Sequence, residues 1–381
     1  MKQIIVVAGH ACLDITPAFA DRTARPLQQT LQPGKLISMQ GVTVSCGGCV
    51  SNTGLGLAKL GAPVRLLAKI GDDSFGTLLR QLYAEYGAAD SLLTAPGERT
   101  SYSVVIAAPG VDRIFLHDAG ANDTFAAEDV PDSALEDAAI FHFGYPPLMR
   151  RIYQDGGAEL EKLLTRVRQA NVVTSLDLAR ITPTSEAGRA DWRAILARVL
   201  PLVDCFVPSV EELCLMLDPA RYAEWEQRAA GGDMTAVLDT EADIRPVAQM
   251  ALELGAGIVL LKCGAPGMYL CASDDAERLA AIGRRLGQDG DVFAAAWAGQ
   301  DHFEKSYRPD RVLSGTGAGD TSIAAFLKAL SEGCAPAECQ QLAAATGACC
   351  VAAYDAVSGL QSFDELRRRI AAGWAKNDAD S

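Results

Sequence analysis

The stretch Ser314-Gly315-Thr316-Gly317-Ala318-Gly319-Asp320 is a glycine-rich turn that leads directly into a predicted helix. Apolar residues recur at helical spacing after it, at Ile323, Phe326, Leu327 and Leu330. Glycines let an oxyanion approach the main chain closely, and a helix start offers unpaired N–H groups and a positive dipole end. The stretch therefore predicts an anion-binding site formed by main-chain amides.

Asp320 is an unexpected residue in such a site, since its charge repels an anion. A carboxylate that points past the anion towards a hydroxyl can accept the proton as that hydroxyl attacks a phosphorus atom. Asp320 is therefore the candidate general base. Taken alone, the turn favours a simpler explanation, an aspartate that complements the helix dipole, and only the rest of the chain favours the catalytic one.

Length and composition are those of a folded protein, because 381 residues, 49% of them hydrophobic, can bury one large core or two smaller ones. The 34 basic and 48 acidic residues give a formal charge of −14, which argues against nucleic acid and anionic membranes as main partners. The sequence shows no secretory leader and no apolar run of about 18 residues. We expect a soluble, cytoplasmic protein.

The eleven cysteines lie mostly in apolar runs and predict reduced, buried thiols. Cys46-Gly47-Gly48-Cys49 has the spacing of a redox pair or of half a zinc site. The sequence has no second C-x-x-C, and its four histidines stand singly. A substrate-facing role for the two glycines is therefore favoured over metal or redox use.

Short apolar runs alternate with helical patterns along most of the chain. Strands are predicted at 4–7, 64–70, 139–143, 172–176, 204–207 and 258–261. Helices are predicted at 148–169, 191–200, 241–254, 336–353 and 363–372. This order predicts an α/β fold with a mostly parallel sheet covered by helices on both faces.

Two β-rich segments, at about 16–45 and 100–118, interrupt the alternation. Within them, short strands are predicted at 35–39, 42–44, 101–106 and 112–117. We expect these strands to form a small separate sheet that acts as a lid, with edges that can pair in a homodimer. Residues 272–307 are harder to assign, and we interpret them as an insertion or an excursion at the sheet edge.

Polar residues follow predicted strands at the place where ligands bind in open α/β sheets. Asp14 can accept hydrogen bonds from substrate hydroxyls, and Asn52 can both donate and accept them. Gly47 and Gly48 precede the helix of Asn52 and bring main-chain amides near a ligand. A turn aspartate and a helix-starting asparagine explain Asp14 and Asn52 equally well.

Two further strand ends carry candidate residues. Glu212 can hold Mg²⁺ through water, since that ion keeps much of its hydration shell. A capping box formed by Ser209 and Glu212 explains this pair without a metal. The segment Lys262-Cys263-Gly264-Ala265-Pro266-Gly267 is typical both of a ligand-facing loop and of an ordinary turn. P-loop and strand-linked dinucleotide motifs do not occur in the sequence.

Together, these motifs resemble the ribokinase-like carbohydrate kinases, the PfkB family, over nearly the whole chain. The matching segments are 9–14, 47–52, 71–76, 117–122, 209–212 and 317–320. The resemblance implies a single kinase domain over 1–381, with a doubly wound sheet and a β lid. It also implies ATP as donor, Mg²⁺, and transfer to a hydroxymethyl group of a sugar or nucleoside.

The resemblance also assigns a role to each candidate residue. Asp320 matches the general base, and the amides of the anion hole match Gly317, Ala318, Gly319 and Asp320. Sugar contacts match Asp14, Gly47, Gly48 and Asn52. Nucleotide-binding positions match Lys262, Gly264, Gly267 and Thr316. Glu212 matches the acid that organises the magnesium waters.

Departures from the family pattern qualify these roles. Ser209 stands where the family usually has Asn, so the magnesium network is expected to be rearranged or weaker. Ser314 and Gly315 stand where Asp and Thr help to hold a monovalent cation, which puts potassium activation in doubt. A nucleoside or phosphosugar kinase and a non-catalytic sugar- or nucleotide-binding homologue stay open as alternatives. Arg113, in the predicted lid, is a candidate ligand for the phosphate of a phosphorylated acceptor.

Overall fold

The structure, a computed structural model, describes residues 4–111 and 113–377. Thirteen strands are found in these residues: β1 Ile4–Gly9, β2 Cys12–Phe19, β3 Met39–Gly47, β4 Val64–Gly71, β5 Leu92–Ala95, β6 Tyr102–Ile106, β7 Ile114–Asp118, β8 Ala138–Gly144, β9 Val173–Leu176, β10 Cys205–Phe206, β11 Ile258–Lys262, β12 Gly267–Ala272 and β13 Asp301–Lys305.

Nine of these strands form one sheet in the order β13-β12-β11-β10-β9-β8-β1-β4-β5. All pairs from β5 to β11 are parallel, and only β12 and β13 run antiparallel to their neighbours. The predicted mostly parallel sheet is confirmed.

Helices cover both faces of this sheet. The α-helices of the described residues are α1 Leu27–Thr30, α2 Cys49–Lys59, α3 Ser74–Ala84, α4 Arg150–Gln169, α5 Trp192–Val199, α6 Val210–Leu217, α7 Pro219–Ala229, α8 Arg245–Glu253, α9 Ala276–Arg285, α10 Gly290–Trp297, α11 Ala318–Ser331, α12 Pro336–Cys350 and α13 Phe363–Ala371.

Successive residues of a central strand enter two separate cores. Ile5 and Val7 of β1 pack in the core that holds α2, α11 and α12, whereas Val6 and Ala8 pack in the core that holds α4 to α8. All seven residues of β8 are buried. A strand covered on both faces needs a continuous apolar run rather than alternation, which is what the sequence showed. The predicted doubly wound architecture is confirmed.

The remaining four strands form a second, smaller sheet in the order β3-β2-β6-β7. The predicted hairpin strands near 101–106 and 112–117 are confirmed as β6 and β7, except that Asp112 lies outside the described residues. The predicted strand at 35–39 was wrong apart from Met39, where β3 begins.

β2 was missed because Pro17 interrupts its pattern in the sequence. The proline is tolerated because β6 pairs with β2 only at residues 13–15, and the register against β3 shifts between Pro17 and Phe19. The small sheet therefore begins at Cys12, before the start at 16 that the sequence suggested.

Residues 276–305 form α9, α10 and β13, and β13 is the edge strand beside β12. That these residues are an insertion in the fold stays a prediction. Within residues 4–111 and 113–377, none of the helices combines the length and the hydropathy needed to cross a bilayer.

Candidate active site

The candidate site lies where the carboxyl ends of the central strands meet the start of α11. His10, Tyr145 and Asp177 directly follow β1, β8 and β9, and Lys262 is the last residue of β11. Because these strands are parallel, their ends lie at the same edge of the sheet. Polar side chains that are far apart in the chain therefore converge there.

The turn before α11 has the backbone geometry of an anion-binding site. Gly317 is the N-cap of this 14-residue helix and has φ 75°, a left-handed conformation that favours glycine. A Cβ atom at Gly317 would lie 2.4 Å from the Cβ of Ala356, so there is no room for a side chain. The turn thus leads directly into the first turn of α11, where the amide of Ala318 donates to the Gly315 carbonyl oxygen at 3.4 Å. Anion binding by the amides of Gly317, Ala318, Gly319 and Asp320 stays a prediction.

Asp320 is buried in the first turn of α11, with only 5% of its surface exposed. Its carboxylate accepts hydrogen bonds from Asn52 Nδ2 at 2.9 Å and from the Tyr145 hydroxyl at 2.8 Å. Thr53 Oγ1 donates at 3.4 Å. Burial raises the pKa of Asp320 above its ordinary value, although Lys262, Asn52 and Tyr145 act in the opposite direction. A buried carboxyl with a raised pKa is a suitable general base.

Tyr145 was missed by the sequence analysis. It follows β8 directly and has a left-handed backbone, φ 66° and ψ 41°, before the short turn Pro146–Leu148. Burial, followed by the charge of Asp320, raises the pKa of its phenol well above the ordinary value. The phenol is therefore a neutral donor to Asp320. Tyr145 could have been identified from its position as a polar residue after a buried strand, because Asp14 was identified from the same feature.

Lys262 and Asp177 form a buried ion pair beside the anion-binding turn. Lys262 Nζ lies 2.7 Å from Asp177 Oδ1, and the Asp177 side chain is 1% exposed. Burial raises the pKa of Asp177 to about 8 despite the nearby ammonium group. A Cβ atom at Gly319 would lie 3.3 Å from Lys262 Cδ, so the lysine stem packs against the start of α11. Asp177 was also missed by the sequence analysis.

The paired glycines are explained by close approach to Asp14 and His10. A Cβ atom at Gly47 would lie 2.3 Å from an Asp14 carboxylate oxygen, and one at Gly48 would lie 2.6 Å from His10 Nδ1. Gly48 is the N-cap of α2, the helix that carries Asn52. The turn at Gly47 and Gly48 thus packs against Asp14 and leads directly into the helix that carries Asn52. Burial raises the pKa of Asp14.

A pair of histidines connects the small sheet to the core. His117 Nε2, on β7, lies 3.3 Å from His10 Nε2, and His117 Nδ1 lies 3.0 Å from Ser103 Oγ. His10 Nδ1 is buried and has no hydrogen-bond partner among the described residues. Burial lowers the pKa of His10 well below its ordinary value, and partial desolvation of the ring lowers the pKa of His117, although this residue is exposed overall. Neither side chain was assigned a role from the sequence.

Glu212 completes the predicted capping box. Its Oε2 accepts from Ser209 N at 2.9 Å, and its own amide donates to Ser209 Oγ at 3.3 Å. The second carboxylate oxygen is not used by the cap. Asp177 Oδ2 is buried and has no hydrogen-bond partner among the described residues. These two acids suit a Mg²⁺ ion held through water and phosphate oxygens, because that ion keeps much of its hydration shell. The described residues contain no cluster of three or more His, Cys, Asp or Glu side chains placed to hold a metal ion.

The other predicted nucleotide-binding residues have structural contacts of their own. A Cβ atom at Gly264 would lie 2.6 Å from Thr235 Oγ1, and one at Gly267 would lie 2.1 Å from the Glu304 carbonyl oxygen. Thr316 Oγ1 accepts from Ser314 Oγ at 3.0 Å. Gly264 and Gly267 are therefore required by packing, and their contact with a nucleotide stays a prediction.

The cysteines of the C-x-x-C sequence are separate free thiols. Cys49 is buried, and a Cβ atom at Gly144 would lie 1.8 Å from its sulfur. Burial raises the pKa of Cys46 to about 12, so this thiol is a poor nucleophile at neutral pH. The pair occupies the entry to α2, where the two intervening glycines contact Asp14 and His10.

The chain is similar to known carbohydrate kinases both in sequence and in structure. The profile of the pfkB family of carbohydrate kinases matches residues 5–362. An uncharacterized sugar kinase of Archaeoglobus fulgidus is 22% identical over 308 residues, which are 80% of this chain and 98% of that protein. The ribokinase of Arabidopsis thaliana, solved with ribose and ATP, has a TM-score of 0.67 and 21% identity, and the match covers 97% of this chain and 98% of the other.

A second similar structure contains a metal. A putative ribokinase II from E. coli, solved with ATP and Mg²⁺, has a TM-score of 0.68 and 19% identity, with coverage of 98% of this chain and all of the other. At these identities the structural matches show a common fold.

Proposed function

This chain belongs to the pfkB family of carbohydrate kinases and phosphorylates a sugar with ATP, and we propose that the acceptor is a hydroxymethyl group deprotonated by Asp320. The observation that carries the proposal is the position of Asp320. Its carboxylate is buried at the first turn of α11, beside the amides of an open helix end, and is oriented by Asn52 and Tyr145.

In the proposed reaction, the acceptor hydroxyl oxygen attacks the γ-phosphorus of ATP. A bond forms between this oxygen and phosphorus, the bond from phosphorus to the β,γ-bridging oxygen breaks, and ADP leaves. Asp320 takes the hydroxyl proton. The amides of residues 317–320 stabilise the negative charge on the transferring group, a role for which single donors contribute about 10²- to 10³-fold in rate.

Charged residues around the turn support this assignment. The Lys262 ammonium group adds positive charge at the start of α11, and Asp177 holds it in place at 2.7 Å. A bound Mg²⁺ would neutralise charge on the nucleotide phosphates. Glu212 and Asp177 would hold its water ligands, while the direct ligands would be phosphate oxygens.

The acceptor is proposed to lie between Asp14, Asn52 and the pair His10–His117. These groups combine hydrogen-bond acceptors and donors, as the hydroxyls of a sugar require. Because His117 belongs to the small sheet, we propose that this sheet is a lid that covers the acceptor and excludes water.

The test is an ATP-consumption assay over a panel of sugars, phosphosugars and nucleosides. Asp320→Asn is expected to lower kcat at least about 10²-fold with the best acceptor, because the base is lost. Asp364→Asn is the matched control, since Asp364 also stands in the first turn of a helix but lies outside the site. Turnover that survives in Asp320→Asn would refute the base assignment, and ATP binding without turnover of any acceptor would favour a sensor.

We also propose a homodimer formed through the edges of the small sheet. Its edge strands β3 and β7 carry the apolar side chains Val42, 58% exposed, and Leu116, 54% exposed. Such edges pair readily between subunits. A cytoplasmic location stays a prediction.

A further inference from the structure

Arg113, which directly precedes β7 of the small sheet, contacts the anion-binding turn of the core. Its Nη1 donates a hydrogen bond to Thr316 Oγ1. Its Nη2 lies 3.3 Å from the position that a Cβ atom at Gly315 would occupy. The guanidinium therefore lies against the turn one residue before Gly317, the N-cap of α11.

The turn is shaped to receive this side chain. Ser314 Oγ accepts from the amide of Thr316 at 3.1 Å and donates to Thr316 Oγ1 at 3.0 Å, which fixes the threonine hydroxyl. Arg113 is the single neighbour within 4 Å of a Cβ atom at Gly315 in the described part of the chain. A side chain at position 315 would compete with the guanidinium for this space.

Strand geometry places Arg113 on the side of the small sheet that faces the cleft. Side chains alternate along a strand, so Phe115 and His117 share a face, and Arg113 continues that series. His117 contacts His10 of the core, and the Arg113 guanidinium lies 6.0 Å from the Phe115 ring centre. Four residues of extended chain span about 13 Å. One face of β7 thus reaches from the acceptor pocket to the anion-binding turn.

We propose that Arg113 binds the terminal phosphate of the nucleotide, so that the lid itself contributes positive charge to the phosphoryl-transfer site. This inference rests on the proposed function. A guanidinium presents its N–H donors in a planar fork that matches phosphate oxygens. At the turn, Arg113 adds a fixed charge beside the main-chain amides.

The position of Arg113 favours the donor phosphate over a phosphate on the acceptor. The guanidinium contacts Thr316, next to the amides of the anion site, whereas the acceptor pocket is built around Asp14 and Gly47. The same position bears on the monovalent cation. Ser314 and Gly315 replace the residues expected to hold such an ion, and Arg113 supplies a permanent charge against the same turn. We therefore expect turnover without potassium.

The first experiment measures nucleotide binding by calorimetry, with ADP and with the non-hydrolysable analogue AMP-PNP, both in magnesium chloride. Arg113→Ala is expected to weaken AMP-PNP binding about 10- to 100-fold, the range for loss of a charge-assisted contact, and to change ADP binding less than about 2-fold. The affinity of Arg113→Lys for AMP-PNP should lie between those of the wild type and Arg113→Ala, because lysine keeps the charge but loses the planar fork of donors.

Arg99→Ala is the matched control. Arg99 lies beside the same sheet and pairs with Asp118 at 3.5 Å, but its side chain is 79% exposed. The Arg99→Ala variant should bind ADP and AMP-PNP as tightly as the wild type does. Equal weakening of ADP and AMP-PNP by Arg113→Ala, or no weakening of either, would overturn the proposal. A rise in KM confined to fructose 6-phosphate would instead assign Arg113 to the acceptor.

The second experiment compares turnover in potassium chloride and in tetramethylammonium chloride. The wild type should work equally in both salts, and strong activation by potassium would overturn the charge-replacement part of the proposal. The binding experiment needs no turnover. If the proposed function is wrong, no acceptor is phosphorylated, but Arg113→Ala still weakens AMP-PNP binding more than ADP binding. If the Arg113 assignment is wrong, this difference between the two nucleotides is lost.

Discussion

The phenolic oxygen of Tyr145 lies 2.8 Å from both carboxylate oxygens of Asp320. The two residues are 175 positions apart in the chain, and the phenolic oxygen and the carboxylate are both buried. Tyr145 is therefore a positioning residue that orients Asp320 and influences its proton affinity.

Replacing Tyr145 by Phe should move the acid limb of the kcat/KM profile to higher pH. The Tyr145 hydrogen bond lowers the pKa of Asp320, so its removal raises that pKa further, and the base is protonated over a wider acid range. A shift of about one unit is expected for loss of one hydrogen bond to a charged group. Tyr354→Phe, with its side chain 78% exposed, is the control. An unmoved acid limb would contradict the assignment.

Replacing Lys262 by Met should destabilise the protein and abolish turnover. The change leaves Asp177 buried without its ammonium partner, which costs about 3–5 kcal/mol when the charge stays uncompensated. Lys262 lowers the pKa of the buried Asp177, which is about 8 in the folded protein, so its removal raises that pKa further. Above about pH 8 the wild type folds with Asp177 ionised, whereas the variant must take up a proton to fold, so the loss of stability should grow as pH rises through this value. Urea unfolding at several pH values measures the effect.

The double variant Lys262→Met/Asp177→Asn serves as its control. Removing the second charge should restore most of the free energy of unfolding, because no uncompensated ion remains in the interior. Turnover should stay low, since the positive charge beside α11 is still absent. Recovery of activity together with stability would show that Lys262 has a structural role only.

Gly317→Ala should remove most activity, whereas Gly61→Ala should not. Both glycines have left-handed φ angles, 75° and 85°, so both substitutions carry a similar backbone strain of about 1–2 kcal/mol. At Gly61 the added methyl group meets nothing within 4 Å, but at Gly317 it meets Ala356 at 2.4 Å and displaces the turn. Kinetics at saturating ATP compare the two. Equal effects would mean that strain, not the anion site, determines the loss.

Glu212→Gln should raise the Mg²⁺ concentration needed for half-maximal activity, with little change in stability. Glutamine can still accept the hydrogen bond from Ser209 N, so the capping box is kept while the charge is lost. A magnesium titration of turnover, with thermal unfolding in parallel, separates the two roles. An unchanged magnesium dependence would leave Glu212 as a cap alone.

Val42→Lys should shift the protein from dimer to monomer if the small sheet mediates association. A charge on an exposed edge strand opposes pairing between subunits, while the folded monomer loses no buried contact there. Light scattering coupled to size-exclusion chromatography measures the mass. A mass that is the same for the wild type and Val42→Lys would argue against this interface.

Local sequence pattern was sufficient for six of the nine strands of the main sheet and for the turn before α11, but not for β5, β12 and β13 at its edges. Buried parallel strands are continuous apolar runs. The start of α11 is recognisable because the glycines and the first apolar residues at helical spacing are close together in the sequence. Pairs close in sequence, such as Gly47 with Asn52 or Ser209 with Glu212, were recognised for the same reason. β2 was missed because Pro17 gives the local signal of a break, while its tolerance depends on how far β6 extends.

What the sequence determined by itself was therefore the central strands, the mostly parallel sheet and the residues at the starts of α2 and α11. Only the tertiary structure decided that Tyr145 contacts Asp320, that Asp177 holds Lys262, that His117 meets His10 and that Arg113 reaches Thr316. These partners are between 85 and 203 positions apart. Local propensity carries no information on strand order, and it is strand order that brings the carboxyl ends of distant strands to one edge of the sheet.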